Sequence, residues 1–194
     1  MKTEYEATFT DIDKESTRTK LKDAGAILGR LEFLQKRVTF NLPDGVDMEG
    51  GWLRVRDEGD KITLSLKAVH GDGIESQKEI LLTVNDFNEA AELLTTLGCN
   101  QKSYQETKRE LWKLGDTEIT IDEWPFLEPF VEIEGTSEKE VKSVSEQLGF
   151  NYQDALFCAV GTLYSKKYGI EEDIINNQTP KIVFDMENPF IKKQ

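Results

Sequence analysis

Like charges recur two residues apart along the β-forming stretches of this chain, and that pattern limits the fold more than any other feature of the sequence. Side chains at i and i+2 share one face of a strand. Glu4, Glu6 and Thr8 fall on one face against Tyr5, Ala7 and Phe9, and Arg54 and Arg56 fall against Leu53 and Val55. Thr63, Ser65 and Lys67 oppose Ile62, Leu64 and Leu66. Glu118, Thr120 and Asp122 oppose Ile119 and Ile121, while Glu132 and Glu134 oppose Val131 and Ile133. On one solvated sheet such alternation is ordinary. Same-sign charges on several strands are not, because like neighbours repel unless a counter-charge or a ligand neutralises them. A barrel with its apolar faces turned outward under helices and its charged faces lining a lumen accounts for both sides of the pattern. A plain structural barrel, with those charges in solvent, is the competing reading.

The spacing predicts strands over 4–10, 33–41, 51–56, 61–67 and 78–84, then over 105–113, 118–121 and 130–134. Turn residues separate them, among them Pro43-Asp44-Gly45, Asp57-Glu58-Gly59-Asp60 and Gly71-Asp72-Gly73. Helices are expected over 14–24, stopped by Gly25, and after an Asn85 cap, with Phe87, Ala90, Ala91, Leu94 and Leu97 at helical spacing and Gly98 as the stop. Ser137 and Glu140 form a capping box before a third helix closed by Gly149, and 153–166 is also expected to be helical. The recurrence of strand, helix, Gly and strand reads as two related halves closing on each other. The fold class is therefore α+β: a closed antiparallel β-barrel of about eight strands around a charged tunnel, with helices outside. One domain is expected over 1–175, with 176–194 as a tail packed on the barrel.

The chain has 194 residues, with 38% hydrophobic and 31% charged, which suits one globular domain with a real core. No apolar run is long enough for a bilayer, and the N-terminus has no apolar signal core, so no membrane is expected and the address reads as cytoplasmic. A formal net charge of −13 argues against nucleic acid as a partner. Cys99 and Cys158 are far apart and read as reduced packing residues. The lone His70, before Gly71-Asp72-Gly73, reads as a solvated loop residue, so triads and histidine metal clusters lack their parts.

Clustered Arg and Lys suit phosphate oxygens, with Arg able to grip them in a bidentate fork. Paired carboxylates suit a hard cation, Mg²⁺ or Mn²⁺ rather than zinc. A triphosphate-containing small molecule with its metal satisfies both sets. No Gly-rich phosphate loop is present, so side chains must form the cradle.

Glu4-Tyr5-Glu6, Leu53-Arg54-Val55-Arg56, Thr63-Leu64-Ser65-Leu66-Lys67, Lys108-Arg109, Ile121-Asp122 and Glu132-Ile133-Glu134-Gly135 stand in the order seen in CYTH proteins, the triphosphate tunnel metalloenzymes. The resemblance runs from residue 4 to about 168. It implies that Arg54, Arg56, Lys67 and Arg109 grip phosphates, joined by Arg37 and Lys108. It implies metal ligation by Glu4, Glu6, Glu132 and Glu134, with Glu79 and Asp122 as further acids. Glu4, Glu6, Arg56 and Lys67 would carry catalysis. The family opening is commonly Glu-x-Glu-x-Lys, and Thr8 stands where that lysine is expected. Arg37, taken to lie on a neighbouring strand, is the expected substitute. The activities implied are inorganic or organic triphosphate hydrolysis, then class IV adenylyl cyclase, then polyphosphate binding without turnover. A homodimer is possible by the same resemblance. Trp52, Trp112 and Trp124 read as packing or rim residues rather than stacking platforms.

Overall fold

Every strand of the barrel finds a partner on both sides. The computed structural model describes residues 1–191. Its strands are β1 (Lys2–Phe9), β2 (Ile27–Phe40), β3 (Gly51–Asp57), β4 (Ile62–Val69), β5 (Gln77–Val84), β6 (Gln101–Leu114), β7 (Thr117–Glu123), β8 (Phe130–Gly135) and the short β9 (Lys181–Ile182). The ladder runs β1-β5-β4-β3-β2-β6-β7-β8 and returns to β1, antiparallel throughout. Closure abolishes the sheet edge and gives each strand one face inside and one outside. The connections repeat. β1, α1 (Lys14–Asp23), β2, β3 and β4 have the same order and pairings as β5, α2 (Phe87–Thr96), β6, β7 and β8. The halves meet at β1–β5 and at β2–β6.

The apolar outer faces pack in three clusters. Ala7, Phe9, Ile119, Ile121, Val131 and Ile133 meet Leu21 of α1 and Val141, Val144 and Leu148 around α3 (Glu138–Gln147). Val38, Phe40 and Val55 pack against Ala90 and Leu94 of α2. Trp124 and Phe130 pack against Leu163 and Tyr164 of α4 (Val160–Tyr168), Ile175 of α5 (Glu172–Asn177), Ile182 and Phe190. Each fully buried aliphatic or aromatic side chain here contributes about 1.5–3 kcal/mol. The C-terminal stretch thus covers the barrel, with β9 pairing parallel to β6 at Tyr104 and Gln105. Residues 192–194 of the expected tail lie outside the described residues. No helix among the described residues is long and apolar enough to cross a membrane.

Local departures from the sequence reading have physical causes. Asp86, not Asn85, caps α2, its carboxylate accepting from the Asn88 and Glu89 amides at 2.8 Å. Ser137 caps α3, but Glu140 turns instead to the Thr136 amide and hydroxyl, so only half of the expected box forms. Residues 153–166 are not one helix. Leu156 exchanges two backbone hydrogen bonds with Thr8, both 3.0 Å, and this bridge to the end of β1 holds the chain extended until α4 begins at Val160. β2 and β6, each 14 residues, run longer than expected, because they serve as each other's ladder partner along nearly their whole length. Gly25 and Gly98, at φ +81° and +88°, end α1 and α2 in a conformation that suits glycine.

Candidate active site

The charged strand faces converge on one cavity of about 480 Å³ inside the barrel. Alternation sets its walls. β1 presents Glu4 and Glu6, β3 presents Trp52, Arg54 and Arg56, and β4 presents Lys67. β2 contributes Arg37 and Thr39, β6 Gln105 and Arg109, β5 Gln77 and Glu79, and β8 Glu132 and Glu134. The lining holds eight basic and seven acidic side chains in a chain of net charge −13. The lumen is therefore the place where positive charge is concentrated, and the outer surface is acidic.

The basic groups differ in what holds them. Arg54 Nη2 lies 3.1 Å from Glu79 Oε1, and Arg56 Nη2 lies 2.7 Å from Glu58 Oε1. Lys67 Nζ lies 2.8 Å from Glu4 Oε2 and 3.9 Å from Glu79 Oε1. Arg109 is clamped by both oxygens of Asp122, at 2.7 and 2.9 Å, and by Glu132. Arg37 has no carboxylate partner among the described residues. Its Nη2 donates to Gln35 Oε1 at 2.9 Å and to Thr107 Oγ1 at 2.7 Å, and its guanidinium stacks 4.5 Å from the Trp124 ring centroid. The Nε atoms of Arg37, Arg54 and Arg56 are all buried without an acceptor. Buried donors of this kind are costly to leave unmet, and phosphate oxygens are the acceptors they suit. Burial and the neighbouring Arg54 and Arg109 guanidiniums draw Arg56 down to about 10, while burial, Arg54, Arg56 and Arg109 draw Arg37 well below its ordinary value.

The acidic wall is crowded in the opposite sense. Glu6 stands beside Glu134 across the β1–β8 pair, and Glu134 beside Glu118 across β8–β7, so three carboxylates form a row over three strands. Burial pushes Glu4 up to about 7 against the pull of Lys67. Burial, with the charges of Glu6 and Asp122, pushes Glu132 up to about 8. Burial also raises Glu6 and Glu134, each further raised by its acidic neighbours. Burial would raise Glu79 too, but Lys67 and Arg54 hold it below the ordinary range. Among the described residues, no three His, Cys, Asp or Glu side chains already form a metal cage. The donor set nevertheless fits Mg²⁺ or Mn²⁺. It is all oxygen, it is destabilised by its own repulsion, and Mg²⁺ characteristically takes one or two carboxylates together with substrate phosphates.

Most of the residues singled out in the sequence meet in this cavity, but two do not. Lys108 is on the outer face of β6, paired with Glu123 at 3.1 Å, because its neighbour Arg109 takes the lumen. Asp122 is fully buried behind Arg109 rather than on the cavity wall. Arg37 is not on a strand next to Thr8. β1 pairs with β5 and β8, so Arg37 reaches the lumen from across the barrel. Thr8 itself is buried beside the Leu156 bridge. Glu118, Asp116, Lys61, Lys102 and Lys2 also line the cavity. Of these, Glu118 is signalled by sharing a strand face with Thr120 and Asp122, two and four residues on; the others lie near strand ends, where alternation says little. Trp112 is core, with Nε1 donating to Glu110 at 2.7 Å, whereas Trp52 and Trp124 line the cavity. His70 is exposed, and both cysteines are free.

Known proteins share this architecture. A conserved hypothetical protein from Pyrococcus furiosus matches with a TM-score of 0.67 at 22% identity, over 80% of this chain and 96% of that one. A Vibrio parahaemolyticus protein, provisionally an adenylate cyclase, matches with a TM-score of 0.72 at 12% identity, over 84% of this chain and 98% of that one. A Hippeastrum protein, provisionally an adenylyl cyclase and with a dominant triphosphatase activity, matches with a TM-score of 0.55 at 12% identity, over 87% and 97%. At these identities the likeness is one of fold. No curated protein sequence matches the chain. The CYTH domain family model matches residues 40–156, more than half of the sequence, and so this chain belongs to the CYTH family.

Proposed function

We propose that this chain is a metal-dependent triphosphatase that hydrolyses inorganic triphosphate or an organic or nucleoside triphosphate inside the barrel. The observation that carries the reading is the opposition of a basic wall with unmet Nε donors to a wall of mutually repelling carboxylates. A polyphosphate chain supplies acceptors to the first wall, and its divalent cation supplies positive charge to the second. Members of the family are usually enzymes, and the Hippeastrum relative has triphosphatase activity.

Arg54, Arg56 and Arg109, held by Glu79, Glu58 and Asp122, are already oriented before substrate arrives. Preorganised cations of this kind stabilise charge that develops on a transferring phosphoryl group without reorganising at that moment. Lys67, held between Glu4 and Glu79, adds a compact point charge. Glu4, Glu6, Glu132 and Glu134 would hold Mg²⁺ or Mn²⁺, with Glu79 as a further acid on the cavity wall; Asp122, behind the wall, holds Arg109 instead. When bound, the cation supplies neutralisation of phosphate charge and a more acidic water. The closed wall limits access of bulk water, which strengthens each of these interactions.

The test is phosphate release from inorganic triphosphate, ATP and thiamine triphosphate with Mg²⁺ or Mn²⁺, with cyclic AMP followed in the same tubes. Release from at least one substrate, abolished by chelation, is expected. Cyclic AMP with pyrophosphate would replace the hydrolase reading with a cyclase, and silence in every tube would leave a binding protein.

A further inference from the structure

The first turn of α4 opens onto the cavity. Cys158, Ala159, Val160 and Gly161 line it, and α4 is nine residues long. Ala159, at the N-cap, has no side chain that can accept. The Thr162 amide donates to the Ala159 carbonyl at 3.0 Å, but the Val160 and Gly161 amides have no acceptor among the described residues. Such a turn favours an anion when other donors complete it.

Arg37 is the independent observation. It is 5% exposed and lines the same cavity, and among the described residues it has no carboxylate partner and its Nε meets no acceptor. Arg54, Arg56, Lys67 and Arg109 each have a carboxylate. A guanidinium kept dry without a counter-charge is unfavourable unless something anionic joins it. Trp124 ties the two features together: one face takes the Arg37 guanidinium, and the ring meets Tyr164 of α4 edge-on at 6.4 Å.

We propose that the α4 N-terminus and Arg37 form one anion subsite at the mouth where β1 ends, taking a phosphate group of the bound chain. The proposal rests on the lumen being the phosphate site. In the bound state, one phosphate oxygen accepts from the Val160 and Gly161 amides while Arg37 Nε reaches the same group. With a single ligand, the subsite accounts for an uncapped helix start and for an arginine with no carboxylate in contact among the described residues.

Proline gives the sharpest test. Val160 is the first helical residue, where proline is tolerated, and Ala159 at φ −73°, ψ 158° already has the conformation a residue before proline adopts. Val160→Pro therefore deletes one free amide and leaves the helix. Titration calorimetry with inorganic triphosphate in chelator, where no turnover occurs, is expected to show affinity about tenfold weaker, the value of a hydrogen bond to a charged group, with the thermal midpoint unchanged or higher. Ala159→Asp, which caps the turn with its own carboxylate, should weaken binding at least as much while stabilising the helix. Arg37→Met should weaken binding as well, and combining it with Val160→Pro should cost less than the two losses together, since both act on one anion. Unaltered affinity in Val160→Pro and Ala159→Asp, or simple additivity with Arg37→Met, would overturn the subsite. If Arg54→Gln weakens binding while those variants do not, the subsite falls and the phosphate tunnel stands. If triphosphate fails to bind the unmodified protein, both fall.

Discussion

Strands β3 and β4 of the first half-barrel and β7 and β8 of the second occupy matching places in the ladder, yet their lumen faces carry opposite charge. The first pair presents Arg54, Arg56 and Lys67 among small hydroxyls at Thr63 and Ser65. The second presents Glu118, Glu132 and Glu134 with Asp122 behind them and Thr120 as the neutral residue. Backbone topology is thus indifferent to the polarity of the lumen; the side chains at alternate positions decide it. A barrel with two equivalent halves would repel itself at the centre whichever sign it carried. Dividing the signs lets each wall be held by an opposite charge on a neighbouring strand, Lys67 by Glu4 of β1 and Glu132 by Arg109 of β6, and under the proposed function each wall would take one component of a metal–polyphosphate complex.

If the walls have these separate duties, damaging one should not resemble damaging the other. Arg56→Gln is expected to lower kcat/KM for the active triphosphate by about 10²–10³, the usual loss when one preorganised donor to a developing charge is removed. It should also weaken triphosphate binding in chelator. Glu134→Gln is expected to lower turnover and to raise the Mg²⁺ concentration needed for half-maximal rate, while leaving binding in chelator unchanged or tighter, because one repelling carboxylate is gone. Steady-state kinetics across a Mg²⁺ series, with calorimetry in chelator, reads both. Equal loss of chelator binding in the two variants would break the division of labour.

The acidic wall should also betray itself through pH. Glu4 and Glu132 titrate near 7 and 8 in the fold, against an ordinary value of 4.5. Between these limits the folded protein retains protons that the unfolded chain has released, so stability must fall as pH rises from about 5 to about 8 and then level off. Glu79 and Glu110, held below 4.5, contribute stability that is lost only in more acidic solution and do not mask this slope. Calorimetric melting of the metal-free protein should show a midpoint falling across that window, by about 2–4 °C for each kcal/mol. Glu132→Gln should flatten the slope, and Mg²⁺ with triphosphate should oppose it. A flat profile in the unmodified protein would mean that these carboxylates are not under strain.

The charge division could be read from the sequence because it is local. Alternation at Glu4/Glu6, Arg54/Arg56 and Glu132/Glu134 survives in the barrel since a strand offers only two faces. Helix ends at Gly25 and Gly98 were legible for the same reason. What depended on distant partners was not. Nothing near residue 153 announces that Leu156 will bridge to Thr8 and delay the helix to Val160. Glu58 lies in a turn rich in polar residues, yet it is buried against Arg56. The stacking of Arg37 on Trp124 joins segments far apart in the chain, and no short-range pattern encodes it. The expectation that Arg37 neighbours Thr8 failed because strand order, unlike strand facing, is set by the closure of the whole barrel.

The smallest predicted effect tests the rule on which the comparison rests. Lys108 and Arg109 are consecutive on β6, and the Lys108-Arg109 motif nominated both as phosphate ligands. A strand cannot turn consecutive side chains into one lumen. Arg109 goes inward to Asp122 and Glu132, and Lys108 goes outward to Glu123 and the Phe184 ring, 4.7 Å from its Nζ. The Lys108–Glu123 pair is partly solvated, at 38% and 29% side-chain exposure, and such pairs contribute about 0–1 kcal/mol. Glu123 also keeps Lys14 at 3.0 Å when Lys108 is removed. Lys108→Ala should therefore leave triphosphate affinity and kcat/KM within about twofold of the unmodified protein, the margin that a charge change this small at the surface allows. Arg109→Ala, one residue away, should cost both binding and stability, since it strands Asp122 in the wall without its cation. A tenfold loss in Lys108→Ala would place that side chain in the ligand's path, and the strict inside–outside division of β6 would have to give way to a twist or bulge that brings both residues to the phosphate.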